Sequence, residues 1–551
     1  MVPIKVALLW HQHQPDYRSG PRMVLPWVRL HATKDYLEMA QHLERHPKMK
    51  ATINLVPILM KQLEGYQDGM EDDLLHLSKK LTSTLLDAER QSLVENCFHA
   101  NFERMISRSA RFTELYWMKQ RGEEFDNAAL RDLIVHYGLA WCGEFIKEEE
   151  PYKSLVQKDR DYTEEEKLHF FEEQEKVIDR ILPLHLKLQQ SGQIEISATP
   201  YYHPILPLIC NTTSAKQAMP EIVLPSQTFS RTNDGYEQVR RATEIYEERF
   251  GQKPKGMWPA EGSISDEALQ ILAEENISWT ASDEAVLQNS LSASDVGNEG
   301  YGDLEKYFPR KFSGHGKEIV IFFRDHSISD KIGFDYHTWD AKDAANDLVN
   351  DCRRIRNSII EKFGETALEV ACISIILDGE NCWENFYENG KYFLDELYSL
   401  LTSTEEVDTV TFSEAVEKIG INNIRPITHI TAGSWVNGNF KIWIGDPEKN
   451  RAWDLLCNAA ETLHGFSNNT EESRMHYDDA YTSLLKAEGS DWMWWYGDDN
   501  SSSQKQIFDW LFRSHLIEVY VHLRLPVPEE LHIAIAGKKW TNTGGAMHRA
   551  T

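Results

Sequence analysis

Short apolar runs of β type recur along the chain, and most of them end in polar residues. Residues 4–10 lead into His11 and His13, and residues 51–55 form a second run. The third, 194–197, carries Glu195 inside it and continues into an aromatic, proline-punctuated stretch at 199–208. Residues 256–258 precede Glu261, 277–281 precede Asp283 and Glu284, 319–323 precede Arg324 and Asp325, and 370–377 precede Asp378. Seven strand candidates separated by helical segments predict repeated β-α units around a parallel sheet, an α/β fold. The run at 370–377 is nearly all apolar, as a strand buried on both faces must be. Polar groups gathered beyond the carboxyl ends of such strands are where a (β/α) barrel builds its active site.

The spacing is uneven. Between the second and third runs, residues at about 70–190 carry apolar positions at helical spacing with charged faces, as at 85–108 and 164–189. Thr163-Glu164-Glu165-Glu166 has the form of a capping box at the start of the second of these. This helix-rich insertion is expected to pack beside the barrel as a lid or subdomain, inside a catalytic region spanning 1–425. From 426 to 551 the pattern changes: 433–445 reads as a strand pair or ordered loop, and 452–464, 477–488 and 504–520 read as helices. A C-terminal, mainly helical domain is expected there.

Composition narrows the function by exclusion. The 551 residues are 41% hydrophobic, enough for a large core, and carry 87 acidic against 58 basic side chains, a net charge of −29. That field disfavours nucleic acid and anionic membranes and leaves a neutral substrate such as a sugar unopposed. Seven scattered cysteines without a CxxC pair fit a reducing compartment. With no apolar stretch of membrane-spanning length and no signal-peptide pattern at the start, a cytoplasmic enzyme is expected.

Two acidic clusters stand out. In Trp258-Pro259-Ala260-Glu261-Gly262, a glutamate leaves a short strand beside a tryptophan and before a glycine. Glycosyl transfer through a covalent intermediate needs such a carboxylate below the sugar ring, although an acid at a helix start reads the same way. In Asp378-Gly379-Glu380-Asn381-Cys382-Trp383-Glu384, three acids follow the most apolar strand. An acid at the mouth of a buried strand is partly desolvated, which raises its pKa and suits it to protonate a leaving oxygen; Asp378 and Glu380 both qualify. His11 and His13, two apart on an extended segment, point the same way and suit either sugar hydroxyls or a metal, with Asp283 and Asp325 as further ligands. Glu195 inside its strand, and His203 in Thr199-Pro200-Tyr201-Tyr202-His203-Pro204, each suit a structural network or a substrate contact. Among 16 tryptophans, Trp258 and Trp383 adjoin the acids, and Trp435 stands further along.

Together these residues resemble glycoside hydrolase family 57. His11-Gln12-His13-Gln14-Pro15 is similar to its first motif, Gly192-Gln193-Ile194-Glu195-Ile196 to its second, and Trp258-Pro259-Ala260-Glu261 to its third. Leu377-Asp378-Gly379-Glu380-Asn381-Cys382-Trp383-Glu384 is similar to the fourth, and Ala432-Gly433-Ser434-Trp435 through Gly445 to the fifth. Residues 323–330 and 490–497 resemble the amylopullulanase-type branch. The resemblance implies an incomplete (β/α)7 barrel, a retaining mechanism on α-glucans, Glu261 as nucleophile and Asp378 as general acid/base. It implies that His11, His13, Glu195, His203, Asp283, Asp325 and Trp435 contact substrate, that Trp258 and Trp383 wall the first subsite, and that neither metal nor cofactor is required. Glucan transfer or branching on the same site remains open. So do two other classes: a metal-dependent deacetylase or α-mannosidase built on the histidines, and a glucan-binding protein without turnover.

Overall fold

The computed structural model describes residues 2–293, 302–467, 470–500 and 502–537. Seven parallel strands follow the apolar runs: β1 (Ile4–Gln12), β2 (Ala51–Leu55), β3 (Ile194–Ser197), β4 (Gly256–Met257), β5 (Trp279–Asp283), β6 (Lys317–Arg324) and β7 (Cys372–Asp378). β1 lies at the centre of the ladder. It pairs with β7 from Lys5↔Cys372 to His11↔Asp378 and with β2 from Leu9↔Thr52 to Gln12↔Leu55. β2 pairs with β3, β4 with β5, and β5 with β6.

Two seams nearly close the ring. Between β3 and β4 there is a single parallel bridge, Ala198↔Met257. Between β6 and β7 one pair forms, Arg324↔Ser374. Where that ladder stops, side chains take over: the Arg324 guanidinium donates to the Ile376 carbonyl at 2.7 Å, and the Ile376 amide donates to Ser329 Oγ at 3.2 Å. Buried backbone groups need such partners, so the seam is sealed by substitution rather than by strand pairing. The result is an incomplete seven-stranded barrel.

Three further strands join this sheet outside the seven. Val407–Val410 pairs with the first half of β1, while Arg310–Gly314 runs antiparallel to β6 and carries Arg425–Ile427 on its other edge. The β5 and β7 runs sit about two residues later than the apolar pattern placed them, so Asp283 and Asp378 are the last residues of their strands.

Between β2 and β3 the chain is mostly helical, and Thr163 and Glu166 form their capping box, with Glu166 N–H to Thr163 Oγ1 at 3.1 Å and Thr163 N–H to Glu166 Oε2 at 2.7 Å. Helices Pro447–His464, Glu471–Ala487 and Lys505–His522 follow at the C-terminal side. These share one apolar cluster with the insertion, joining Phe170 and Leu130 to Trp453 and Phe512, whereas the barrel strands and their flanking helices fill two other clusters. Residues 433–435 form an ordered connection, tied to the Glu261 turn by the bridge Ile264↔Gly433. All seven cysteines are buried and none is in a disulfide. No helix among the described residues is long and apolar enough to cross a membrane.

Candidate active site

The carboxyl ends of the strands open into a cleft of about 940 Å³. Its wall includes His11, His13, His203, Glu261, Asp378 and Trp435, with Glu380, Arg324 and Asp491.

The histidines form a stack whose proton positions follow from their partners. The Asn54 amide nitrogen is committed to Ser197 Oγ at 3.0 Å and the Ala198 carbonyl at 2.7 Å. Its oxygen, 2.6 Å from His11 Nδ1, therefore accepts a hydrogen bond from that N–H. His11 Nε2 is left as an acceptor and takes the N–H of His203 Nε2 at 3.1 Å, and His203 Nδ1 in turn accepts from Ser490 Oγ at 2.8 Å. Both rings are thus neutral. Burial, with His13 adjacent, pushes His11 down to about 3 and holds His203 well below the usual histidine range. His13 lies on His203, ring centroids 3.8 Å apart at 15°, and its Nε2 reaches both Asp491 oxygens at 2.9 and 3.0 Å.

Donor atoms of His13, His203 and Asp491 lie within 4.8 Å of one another, a set suited by type to a divalent metal. The rings are nearly parallel, however, so their in-plane lone pairs do not converge on one point. His203 Nε2 is also engaged with His11. As it stands, the group is a hydrogen-bonded stack, and one ring would have to turn before an ion fitted.

Glu261 stands on a tight turn after β4, at φ +57°, followed by Gly262 at φ +59°. Left-handed backbone is rare for a residue with a side chain. At Gly262 a Cβ would lie 2.7 Å from the Trp258 ring, so only glycine fits. Trp435 secures the turn twice: its backbone N–H donates to the Glu261 carbonyl at 2.9 Å and its Nε1–H to Oε2 at 2.7 Å. Burial, and next the charge of Asp378, push the Glu261 carboxyl up to about 8, against the indole N–H that favours its ionised form. Asp378, at the end of β7, accepts from Asn381 Nδ2 at 2.9 Å; burial raises it, opposed by that hydrogen bond and by His13 and Arg324. Glu380 is buried deeper and pushed well above the usual range, by burial and then by Asp378, while its Oε1 accepts the His13 N–H at 3.1 Å.

Other residues singled out in the sequence lie outside the cavity wall. Glu195 is two residues before the end of β3, roughly 7 Å below the barrel mouth. There it accepts from Trp279 Nε1 at 2.8 Å, Ser413 Oγ at 2.6 Å and Ser413 N at 2.9 Å, a clasp at the amino-terminal end of the barrel. Asp283 holds Arg324 Nη1 and His326 Nδ1, each at 3.3 Å, and both of those side chains do reach the cleft. Asp325 caps helix His326–Asp330 through the Ile328 amide at 3.0 Å and accepts from the Tyr307 hydroxyl at 2.6 Å. Trp258 lies behind Glu261, edge-on to Trp435 at 5.4 Å. Trp383 donates to the Gly379 carbonyl at 3.0 Å and packs against Trp10, stiffening the Asp378 loop from behind.

Asp491, Asn54 and Asn381 carry the site's hydrogen bonding and were not singled out. Asn54 stands one residue before the end of its strand, as His11 does, and Asp491 lies in the stretch 490–497 noted for its resemblance, so both left a signal.

Comparison with known proteins agrees with this architecture. Over 98 residues, 18% of this chain and 11% of the relative, it is 29% identical to Alpha-amylase 1 of Dictyoglomus thermophilum, so the match spans only a small part of that protein. Its fold is similar to that of a GH57 branching enzyme from Thermococcus kodakaraensis, with a TM-score of 0.60 and 17% identity over 94% of this chain and 90% of the other. A similar likeness links it to an alpha-amylase from Thermotoga maritima, with a TM-score of 0.58 and 14% identity over 96% and 95%. The family model for glycosyl hydrolase family 57 matches residues 7–428. The chain belongs to glycosyl hydrolase family 57.

Proposed function

We propose that the chain hydrolyses α-1,4 bonds of α-glucans by double displacement, with Glu261 as nucleophile and Asp378 as general acid/base. One observation carries the proposal: two carboxyl groups on different strand ends share a cleft, each raised by burial, and the charge of one raises the other. Two carboxyl groups so coupled resist ionising together, and one proton shared between them is the protonation state that double displacement uses. The stronger upward push falls on Glu261. A bound glycosidic oxygen accepts a hydrogen bond only from protonated Asp378, and the developing positive charge at the anomeric carbon favours ionised Glu261; substrate therefore moves the proton to where it is needed. His13 Nδ1, buried without a hydrogen-bond partner, is placed to meet a sugar hydroxyl, and Trp435 both walls the site and holds the nucleophile.

Membership of the family supports action on α-glucans; among the similar folds an alpha-amylase goes with hydrolysis and a branching enzyme with transfer. Transfer to a second glucan at the same site is the second reading, favoured by the aromatic wall described below. Replacement tests the roles. Glu261→Gln and Asp378→Asn are each expected to remove nearly all activity on maltooligosaccharides with the fold intact. Retention of most of the rate by either variant contradicts the assignment.

A further inference from the structure

The helical insertion meets the cleft where it is fastened to the loop carrying Asp378. Asn101 caps the turn Phe102–Ile106, accepting from the Arg104 amide at 3.0 Å, and its side-chain nitrogen donates to Asn385 Oδ1 at 3.1 Å. Asn101, Asn385 and Asp378 all line the cleft. At this junction the insertion presents Phe98, Phe102 and Tyr116 to the cavity. Phe102 and Tyr116 are 4.7 Å apart at 49°, and Phe98 lies edge-on to Tyr116 at 5.9 Å while stacking on the buried Phe112 behind it. All three are half-buried, packed on the insertion's own core on one side and open on the other. The cleft is at the upper end of the roughly 300–1,000 Å³ that ligand pockets span, room for several sugar units.

A glycosidic acid/base stands on the leaving-group side of the bond it cleaves, because it protonates the leaving oxygen. The wall tied to its loop therefore borders the units beyond the cleaved bond. The geometry points to Phe98, Phe102 and Tyr116 as an acceptor platform, on which an α-glucan stacks to compete with water for the glycosyl-enzyme. This rests on the α-glucan function proposed above. In the transfer step an acceptor hydroxyl gives its proton to the Asp378 carboxylate and its oxygen bonds to the anomeric carbon. The bond from that carbon to Glu261 breaks, which restores the Glu261 carboxylate and the Asp378 acid.

The test partitions α-maltosyl fluoride between hydrolysis and transfer to maltotriose, since fluoride leaves without needing the platform. In Phe102→Ala and Tyr116→Ala the maltotriose concentration for half-maximal transfer should rise about tenfold or more, the worth of a lost ring contact. Hydrolysis of the fluoride should stay within about twofold of wild type, and Tyr116→Phe should transfer normally. Phe102→Leu, which keeps apolar volume without a ring face, gives the same reading if alanine unfolds the turn. Unchanged acceptor dependence, hydrolysis and transfer falling together, or a wild type that hydrolyses without transferring, overturns the platform. A wild type that turns over neither the fluoride nor maltooligosaccharides overturns the underlying α-glucan function instead.

Discussion

Trp435 holds Glu261 at both ends, its indole N–H 2.7 Å from Oε2 and its backbone amide 2.9 Å from the Glu261 carbonyl. The side-chain bond favours the ionised carboxylate, which a nucleophile needs, and the backbone bond helps to fix a left-handed turn that a glutamate rarely adopts. Replacing the indole with a phenyl ring removes the first bond and leaves the second. In Trp435→Phe the Glu261 pKa should rise, moving the acid limb of the kcat profile, which reports the substrate-bound enzyme, to higher pH. Losing a hydrogen bond to a charged group costs about 1.5–3 kcal/mol, a fall of roughly 10- to 100-fold in rate. A profile with its acid limb unmoved contradicts this role.

Asn381 has the corresponding part at the other carboxyl. Its amide donates to Asp378 Oδ2 at 2.9 Å and lowers that group's pKa. In Asn381→Leu the Asp378 pKa should rise, so the alkaline limb, where the acid is lost, moves up while the acid limb stays. The pair of variants thus separates the two limbs, and a shift of the same limb in both would show that the roles are misassigned.

Keeping Glu261 in the cleft has a cost to the fold that depends on pH. Its carboxyl holds a proton up to about 8 in the folded chain, against an ordinary value of 4.5. Between these values the folded state binds more protons than the unfolded one, so stability falls as pH rises through that window. Glu261→Gln cannot ionise. Its Tm should match wild type near pH 4.5 and exceed it increasingly up to pH 8; parallel Tm curves across that range contradict the burial of this charge.

Glu195 separates structure from chemistry. Its three hydrogen bonds fasten β3 to Trp279 and Ser413 below the barrel mouth. Glu195→Gln turns one acceptor oxygen into an NH₂ group facing donors. The variant should lose about 1–3 kcal/mol of stability while kcat stays within about twofold of wild type. A large fall in kcat at unchanged Tm would place Glu195 in the site after all.

The barrel was legible because its strands are buried on both faces and end in polar residues, a contrast that survives in a single sequence. Val407–Val410 escaped notice because it is four residues long, includes Asp408 and ends in no chemistry. Glu195 and His11 looked alike along the chain, the one a polar residue within an apolar run and the other a polar residue just after one. Only depth along the strand separates them, since His11 is level with Asp378 and Glu195 lies below the mouth. Trp258 and Trp383 adjoin the acids in sequence, yet they brace the turns from behind, and the ring that touches Glu261 is Trp435, far along the chain. Asp491 sits a whole domain's length from His13, and no local pattern joins residues brought together by the packing of the C-terminal helices.

The central claim is a covalent bond from sugar to Glu261. In Asp378→Asn, α-maltosyl fluoride should still load the enzyme, because fluoride needs little help to leave, while release slows for want of a base. Mass spectrometry of the quenched protein should then find one maltosyl unit on the peptide carrying Glu261. No adduct, or an adduct on another side chain, contradicts the account.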